Sequence, residues 1–231
     1  MNIAIIPARI GSKRIPKKNI KIFFGKPIIY WTIKKVIESK LFDRVIVSTD
    51  SDQIKKLAIK YNVEVPFIRP KKLANDHADT ISVISHAIRK IYKTSDKINF
   101  VCCIYPTSPF LNIKDLYRGY KKIRSSKFDF VFSACQADFN VLRTFNLKKN
   151  DKIKMIFPNK YKTRSQDAER AYYDAAQFYW GTKDAWLNEI SIFNENASFI
   201  EIDKNFFCDI DEIKDWKRAK TLYKKINKLK Y

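Results

Sequence analysis

Two short stretches of this chain carry the residue types from which phosphate chemistry is built. The first is Pro7-Ala8-Arg9-Ile10-Gly11-Ser12-Lys13-Arg14-Ile15-Pro16-Lys17-Lys18-Asn19, directly after the apolar run at residues 3–6. Its cations, Arg9, Lys13, Arg14, Lys17 and Lys18, would neutralise a polyphosphate. Gly11, one of only four glycines in the chain, lets backbone amides approach a phosphate with no Cβ in the way. A loop at a strand end is also where open α/β sheets bind ligands. A basic surface turn is the plain alternative on spacing alone. The second stretch is Asp209-Ile210-Asp211. If residues 206–210 form a strand, alternation puts both carboxylates on one face, where they suit Mg²⁺, an ion that commonly takes one or two carboxylates and fills its octahedron with water and phosphate oxygens. The alternative here is that Asp211 caps the helix that follows. Together the two stretches point to nucleotidyl transfer, with cations offsetting a leaving pyrophosphate and a metal stabilising the attacked phosphate. Asp50 and Asp52, at a predicted helix start, read as N-caps.

These groups need elements to bring them together. Residues 2–6 read as a buried strand, and Ile29, Ile33, Val36, Ile37 and Leu41 recur at helical spacing. A second strand at 44–48 leads into a helix running to about Tyr61, capped by Asp or Ser within Thr49-Asp50-Ser51-Asp52. A short strand at 63–65 follows, then a helix marked by Ile81, Ile84, Ile88 and Ile91, a strand at 100–105, a helix at about 113–123 and a strand at 128–134. The alternation predicts a parallel α/β sheet with right-handed crossovers. After residue 140 the segments shorten: 152–157, a polar loop around Arg164-Ser165-Gln166-Asp167, and an aromatic strand at 176–180. This change of rhythm predicts an inserted lobe at about 140–190. Strands at 198–202 and 206–210 and a terminal helix over 212–228 close the chain.

Composition bounds the rest. The 231 residues suffice for one substantial core, so a single domain over 1–231 is expected. The net charge of +22 would suit a nucleic-acid binder. Yet only 11 of the 46 basic residues are Arg, and the lysines are spread over predicted helices rather than gathered in one tract, apart from 217–230. A lysine-rich solvated surface that also attracts anionic substrates is the reading preferred, and no nucleic-acid partner is expected. No apolar stretch reaches the roughly 20 residues of a membrane span, and the N-terminal apolar run is too short for a signal segment, so a cytoplasmic protein with no membrane partner is expected. Cys102, Cys103, Cys135 and Cys208 lack CxxC spacing and read as reduced core residues. His77 and His86 are too few for a His-based zinc cluster.

In order and spacing, Ile6-Pro7-Ala8-Arg9 through Asn19, Arg69-Pro70 followed by Leu73, the Pro106-Thr107-Ser108-Pro109 turn and Asp209-Ile210-Asp211 resemble the acylneuraminate cytidylyltransferase family over nearly the whole chain. Arg164-Ser165-Gln166-Asp167 and the run from Tyr173 to Gly181 are more similar to its pseudaminic acid branch than to its sialic acid branch. The resemblance implies a Rossmann-like, mostly parallel sheet with flanking helices, of the nucleotide-diphospho-sugar transferase type, in which the inserted lobe serves dimerisation. It implies a cytidylyltransferase that joins CTP to a nine-carbon acidic sugar with Mg²⁺ as cofactor, working as a homodimer whose partner completes each sugar pocket. Residue by residue, it implies that Arg9, Ser12, Lys18 and Asn19, with Ala8, Gly11 and Lys13 of the same loop, hold the CTP phosphates, and that Arg69 and Thr80 recognise the cytosine end. Asp209 and Asp211 would ligate Mg²⁺, with Arg9 and Lys18 acting beside them in catalysis. Tyr105, Arg164, Tyr173 and Gln177 would line the sugar pocket, Arg164 pairing the substrate carboxylate.

Three positions depart from the family pattern. Ile10 stands where the family usually has glycine, and a β-branched residue disfavours φ > 0, so this position is either extended or part of a reshaped loop. Ala176 also replaces a usual glycine, narrowing the pocket by a methyl group. Tyr105 stands where the sialic acid branch commonly has Gln. The expected product is CMP-pseudaminic acid. The alternatives are CMP-activation of legionaminic or N-acetylneuraminic acid, a homologue disabled at Ile10 and, from a different class, a basic nucleic-acid-binding protein.

Overall fold

A computed structural model describes residues 1–92 and 97–228. In chain order its strands and helices are β1 Asn2–Pro7, β2 Ile22–Phe23, β3 Lys26–Pro27, α1 Ile28–Ser39, β4 Arg44–Ser48, α2 Asp52–Lys60, α3 Thr80–Ile91, β5 Phe100–Ile104, α4 Ile113–Arg124, β6 Phe130–Gln136, β7 Phe145–Leu147, β8 Ile153–Met155, β9 Tyr172–Thr182, α5 Lys183–Leu187, β10 Ala197–Glu201 and α6 Ile213–Ile226. Six strands form the central sheet in the order β10-β6-β9-β5-β1-β4. The pairs β1/β4, β1/β5 and β10/β6 are parallel, whereas β9 runs antiparallel between β5 and β6.

The period-2 alternation of β1 sorts the core into two layers. Ala4 and Ile6 face one cluster with Ile29, Ile33 and Val36 of α1, Ile54 and Ala58 of α2, and Leu116 and Ile123 of α4. Ile3 and Ile5 face the other, with Ile84, Ala87 and Ile88 of α3 and Trp186 of α5. Each fully buried Ile contributes roughly 1.5–3 kcal/mol by leaving water, which makes β1 a rigid floor for the loop at its end. The two deepest indoles stay satisfied: Trp180 Nε1 donates to the Leu116 carbonyl at 3.1 Å and Trp186 Nε1 to that of Val101 at 3.0 Å. A third cluster, Ile15, Phe23, Ile28, Phe110, Cys208, Ile210, Trp216 and Ala219, clamps α6 and the segment before it onto the loop after β1. All four cysteines are free and buried.

Several sequence expectations are corrected. Residues 63–65 make no strand; the segment pairs with the sheet backbone through isolated bridges, Ile46 to Glu64 and, just beyond, Thr49 to Ile68. Residues 206–210 are not a strand either: a 3-10 turn at Lys204–Phe206 opens into extended chain, so Asp209 and Asp211 are set by the packing of Cys208 and Ile210 in the third cluster and not by a ladder. Neither Asp50 nor Asp211 caps a helix. Ser51 caps α2, accepting from Ile54 N, and Glu212 with Asp215 forms a capping box at α6. The aromatic strand is longer than expected, and residues 172–182, assigned by sequence to the inserted lobe, lie inside the central sheet as β9. What stands apart from that sheet is the β7/β8 hairpin and the loop after it. No helix among the described residues is long and apolar enough to cross a membrane.

Candidate active site

The carboxyl ends of β1, β4 and β5 open together into a cleft of about 660 Å³. Register places Pro7 beside Ser48, so the loops after β1 and β4 leave the sheet side by side. The first loop is pinned at intervals. Ala8 is buried with its amide on Ser48 O at 2.9 Å, Asn19 Nδ2 donates to Arg9 O at 2.8 Å, and Ile15 is buried in the third cluster. Lys17 takes φ 52° to start the 3-10 turn Lys18–Ile20. Ile10 has no positive φ; its amide donates to Asp50 Oδ1 at 3.0 Å. The family's glycine position is thus filled without left-handed strain, and the Ile10 amide is engaged by Asp50. Gly11 lines the cleft, where a Cβ would meet nothing within 4 Å. On the facing side, Thr32 of α1, fully buried, accepts from Ser108 N at 3.2 Å and donates to Pro106 O at 3.0 Å. That pair fixes the turn after β5.

The cleft cations are arranged in two clamps. Arg9 Nη1 pairs with Asp76 Oδ1 at 2.7 Å and Lys13 Nζ with Asp76 Oδ2 at 2.5 Å. Arg14 Nη2 pairs with Asp211 Oδ2 at 2.9 Å, and Lys18 Nζ reaches Asp211 Oδ1 at 3.2 Å and the Ile210 carbonyl at 2.6 Å. Ser12 and Asn19 line the same space. Arg69 forms part of its wall at only 4% exposure, donating to Ser48 O at 3.0 Å and Leu73 O at 3.4 Å, while its buried Nε has no hydrogen-bond partner among the described residues. Burial pulls Arg69 down to about 10, with the Asp50 carboxylate offsetting part of that cost and the Arg9 charge adding to it. The guanidinium stays charged at neutral pH.

A second, much smaller cavity of about 20 Å³ adjoins the cleft, sharing Tyr105 and Thr107 with it. Asp211 lines the cleft and Asp209 the small cavity, so the two carboxylates straddle the junction. Protein on one flank and the Asp211 charge push the Asp209 carboxyl up, with Lys18 working against them. Two mutually repelling carboxylates at such a junction fit a divalent cation, whose charge relieves the repulsion. No group of three or more His, Cys, Asp or Glu side chains gathers among the described residues, so other ligands of such an ion would come from water and phosphate oxygens.

Gln177 and Ala176 line the small cavity. Gln177 is buried, its side-chain Nε2 donating to Phe206 O at 3.2 Å and its backbone carbonyl accepting from Tyr105 N at 3.1 Å. The Tyr105 hydroxyl lies 2.6 Å from Thr80 Oγ1, its ring is tilted against Tyr179 at 5.5 Å, and the Tyr179 hydroxyl donates to Asp174 Oδ2 at 2.5 Å. Burial pushes Tyr105 up to about 12. Ala176 sits at φ 48°, where β9 slips register against β6, its amide on Asp174 Oδ1 at 2.8 Å. A left-handed residue at a bulge is the place for glycine, the residue usual here in the family that the sequence resembles.

The structure therefore gathers Arg9, Gly11, Ser12, Lys13, Lys18, Asn19, Arg69, Thr80, Tyr105, Gln177, Asp209 and Asp211 around the two cavities, with Ala8 buried behind them. It does not gather Tyr173, which is exposed against Phe207, or Arg164, which is exposed in the loop after β8; neither lines either of these two cavities. Sequence reading missed Asp76 and the true place of Asp50. Asp76 stands in Asn75-Asp76-His77-Ala78-Asp79, four residues before the Thr80 that the reading did single out.

Comparison with known proteins gives the family. A cytidylyltransferase family model covers residues 3–230. A pseudaminic acid cytidylyltransferase of Campylobacter jejuni is 42% identical over 223 residues, 96% of each chain. A CMP-N,N'-diacetyllegionaminic acid synthase of Legionella pneumophila is 40% identical over 108 residues, 47% of each chain. The solved structure of CMP:2-keto-3-deoxy-manno-octonic acid synthetase complexed with CTP superposes with a TM-score of 0.74 at 14% identity, covering 97% of this chain and 99% of that one, a likeness of fold.

Proposed function

This chain belongs to the cytidylyltransferase family, and from that premise we propose that it transfers CMP from CTP to pseudaminic acid, releasing pyrophosphate. The observation that carries the reading is the straddling carboxylate pair, Asp211 on a cation-lined cleft and Asp209 on the adjoining cavity. Two negative side chains thus stand beside a cation-lined space of polyphosphate size, and the sugar would approach on the Asp209 flank, the adjoining cavity of about 20 Å³ being only water-sized. The full-length likeness to a pseudaminic acid cytidylyltransferase supports the choice of sugar.

The anomeric hydroxyl of the sugar attacks the α-phosphorus in line. A sugar O–P bond forms, the hydroxyl proton passes to water, the bond from the α-phosphorus to its bridging oxygen breaks, and that oxygen leaves with pyrophosphate. No covalent enzyme intermediate is needed. Arg9, Lys13 and Lys18, with Ser12 and the amide of Gly11, hold the phosphates and offset the charge that develops on the leaving group. Asn19 and Ala8 act through the loop backbone that they fix. Arg69 has a donor to spare in its Nε and faces the cytosine end with Thr80. Asp209 and Asp211 are the residues that would hold Mg²⁺, which supplies, when bound, positive charge at the reacting phosphate. Tyr105 and Gln177 border the acceptor sugar.

The whole chain acts as one catalytic domain, its projecting hairpin pairing two copies. Arg164 and Tyr173, away from both cavities of their own chain, then serve the sugar pocket of the neighbouring copy. A reaction that draws on CTP, in a protein with four free cysteines, belongs in the cytoplasm.

The test is pyrophosphate release with Mg²⁺ over a panel of pseudaminic, legionaminic and N-acetylneuraminic acids, with ATP, GTP and UTP replacing CTP in turn. Release with CTP and pseudaminic acid is expected. Faster release with another acid would overturn the sugar assignment while leaving the reaction, and silence of the folded protein across the panel would overturn both.

A further inference from the structure

The two clamps of the cleft differ in what their carboxylate does besides. Asp211 belongs to the pair suited to a cation. Asp76 does not, and it lies on the opposite wall, in the loop at residues 74–79 between the 3-10 turn Lys71–Leu73 and α3. That loop has its own internal ties. Asn75 Oδ1 accepts the amides of His77 and Ala78, each at 2.9 Å, and Asn75 Nδ2 donates to Lys72 O at 3.0 Å. Asp79 caps α3 by accepting from Ser82 N at 2.7 Å. The Asp76 side chain is spare to the turn, and it reaches across to the loop after β1, one oxygen on Arg9 and the other on Lys13. A carboxylate with each oxygen engaged by a separate cation has the charge and reach of a phosphate group in the same place. These bonds hold the Asp76 carboxyl down to about 2, so it is an anion at any working pH.

We propose that Asp76 is an internal competitor for the phosphate-binding cations: it occupies Arg9 and Lys13 in the free protein, yields them to the triphosphate of CTP, and takes them back as pyrophosphate leaves. The proposal rests on the reading above that Arg9 and Lys13 bind phosphates. In the cycle this contact weakens polyphosphate binding on entry and speeds its exit. A self-filled pair of cations is also screened from other anions of the cell. Removing the charge leaves the cations free for the ligand.

Two exposed ion pairs are each of modest strength, so Asp76→Asn is expected to tighten the binding of inorganic pyrophosphate about three- to tenfold, measured by titration calorimetry in a metal-free buffer containing chelator. CTP should tighten similarly and cytidine not at all. In turnover the KM for CTP should fall and product inhibition by pyrophosphate should strengthen. Asp76→Glu, which keeps the charge, should stay near the parent in both, and Asp76→Ser serves as a second neutral variant should the Asn protein fold poorly. Unchanged or weaker pyrophosphate binding in the folded neutral variants would overturn the proposal, and weaker CTP binding would make Asp76 a ligand contact instead. The underlying reading fails separately: if Arg9→Ala binds pyrophosphate as tightly as the parent, these cations are not the phosphate site.

Discussion

At the scale of single residues, the site sets opposite demands on groups that line one small cavity. To hold a cation Asp209 has to be charged beside Asp211, although burial and that charge push its carboxyl up, whereas burial keeps the Tyr105 hydroxyl, 2.6 Å from Thr80 Oγ1, neutral. Asp209→Asn keeps the size and removes the charge. Because electrostatic groups aimed at a reacting phosphate are worth orders of magnitude, CTP-dependent pyrophosphate release should fall at least about 100-fold, with thermal melting within a few degrees of the parent. Activity retained in that variant would remove Asp209 from the chemistry. Tyr105 gives a prediction in pH. Burial raises its hydroxyl to about 12 from the ordinary 10, so the folded state favours the neutral phenol. Its contribution is fully present below pH 10 and is lost as pH rises toward 12, because only the unfolded chain gains by ionising in that window. Linkage puts the loss at up to about 2–3 kcal/mol. Urea denaturation at pH 9, 10 and 11 should show the parent losing more stability than Tyr105→Phe; parallel losses would mean that the phenol is not buried as described. Tyr179 is raised in the same direction, in part by Tyr105 itself, so the difference between the two proteins reads Tyr105 together with its coupling to Tyr179.

At the scale of elements, the bulge in β9 shapes the small cavity beside the cleft. Asp174 and Gln177 lie on either side of Ala176, whose φ of 48° turns the strand locally where it slips against β6. An L-residue there carries roughly 1–2 kcal/mol of strain, while glycine would relieve it at a cost of about 0.5–1 kcal/mol in backbone entropy. Ala176→Gly should therefore be neutral to about 1 kcal/mol more stable, and Ala176→Val, β-branched, clearly less stable, both by chemical denaturation. A Val variant as stable as the parent would show that the position is not left-handed. The same bulge marks where the sequence is legible and where it is not. Apolar periodicity located β1, β4, α1, α3, α4 and α6 well, because each buries a regular face. It could not tell that β9 runs antiparallel, since a strand buried on both sides is apolar in either direction. Residues 206–210 looked like a strand because Cys208 and Ile210 alternate with polar neighbours, yet they are buried against α6 in the third cluster and pair with no strand. At the site, the basic loop and Asp209/Asp211 were readable because like charges cluster in sequence. Asp76 and Asp50 were not, because their partners lie far off in the chain, Arg9 for the one and the Ile10 amide for the other. A lone carboxylate gives no sign of which distant cation or amide it will meet.

At the scale of the whole molecule, the net charge of +22 and the β7/β8 hairpin pull against each other. The hairpin forms its own two-stranded sheet outside the central one, an arrangement that is marginal in water without a surface to pack on. Its strands turn apolar side chains outward: Phe145 is 54% exposed, Leu147 69% and Ile153 57%, with Phe139 and Ile156 exposed nearby. An exposed apolar patch of this kind is the mark of an interface, and a second copy meeting it about a two-fold axis would cover the same patch on both. Two chains so strongly positive repel each other, and the hairpin's own Lys148, Lys149, Lys152 and Lys154 add to that, so the apolar contact must overcome the charge. The pairing should consequently tighten as salt screens the repulsion, the reverse of what an interface built on ion pairs would do. Light scattering coupled to size exclusion should give twice the 27.3 kDa of one chain at about physiological ionic strength, with more monomer at low salt. Leu147→Glu with Phe145→Glu should leave a folded 27.3 kDa species. If Arg164 of one copy serves the sugar pocket of the other, that species should still bind CTP and fail to turn over the sugar. A parent protein that is monomeric and fully active would remove the dimer and the shared pocket together, whereas a monomeric variant that keeps full activity would leave the dimer and return the sugar pocket to a single chain.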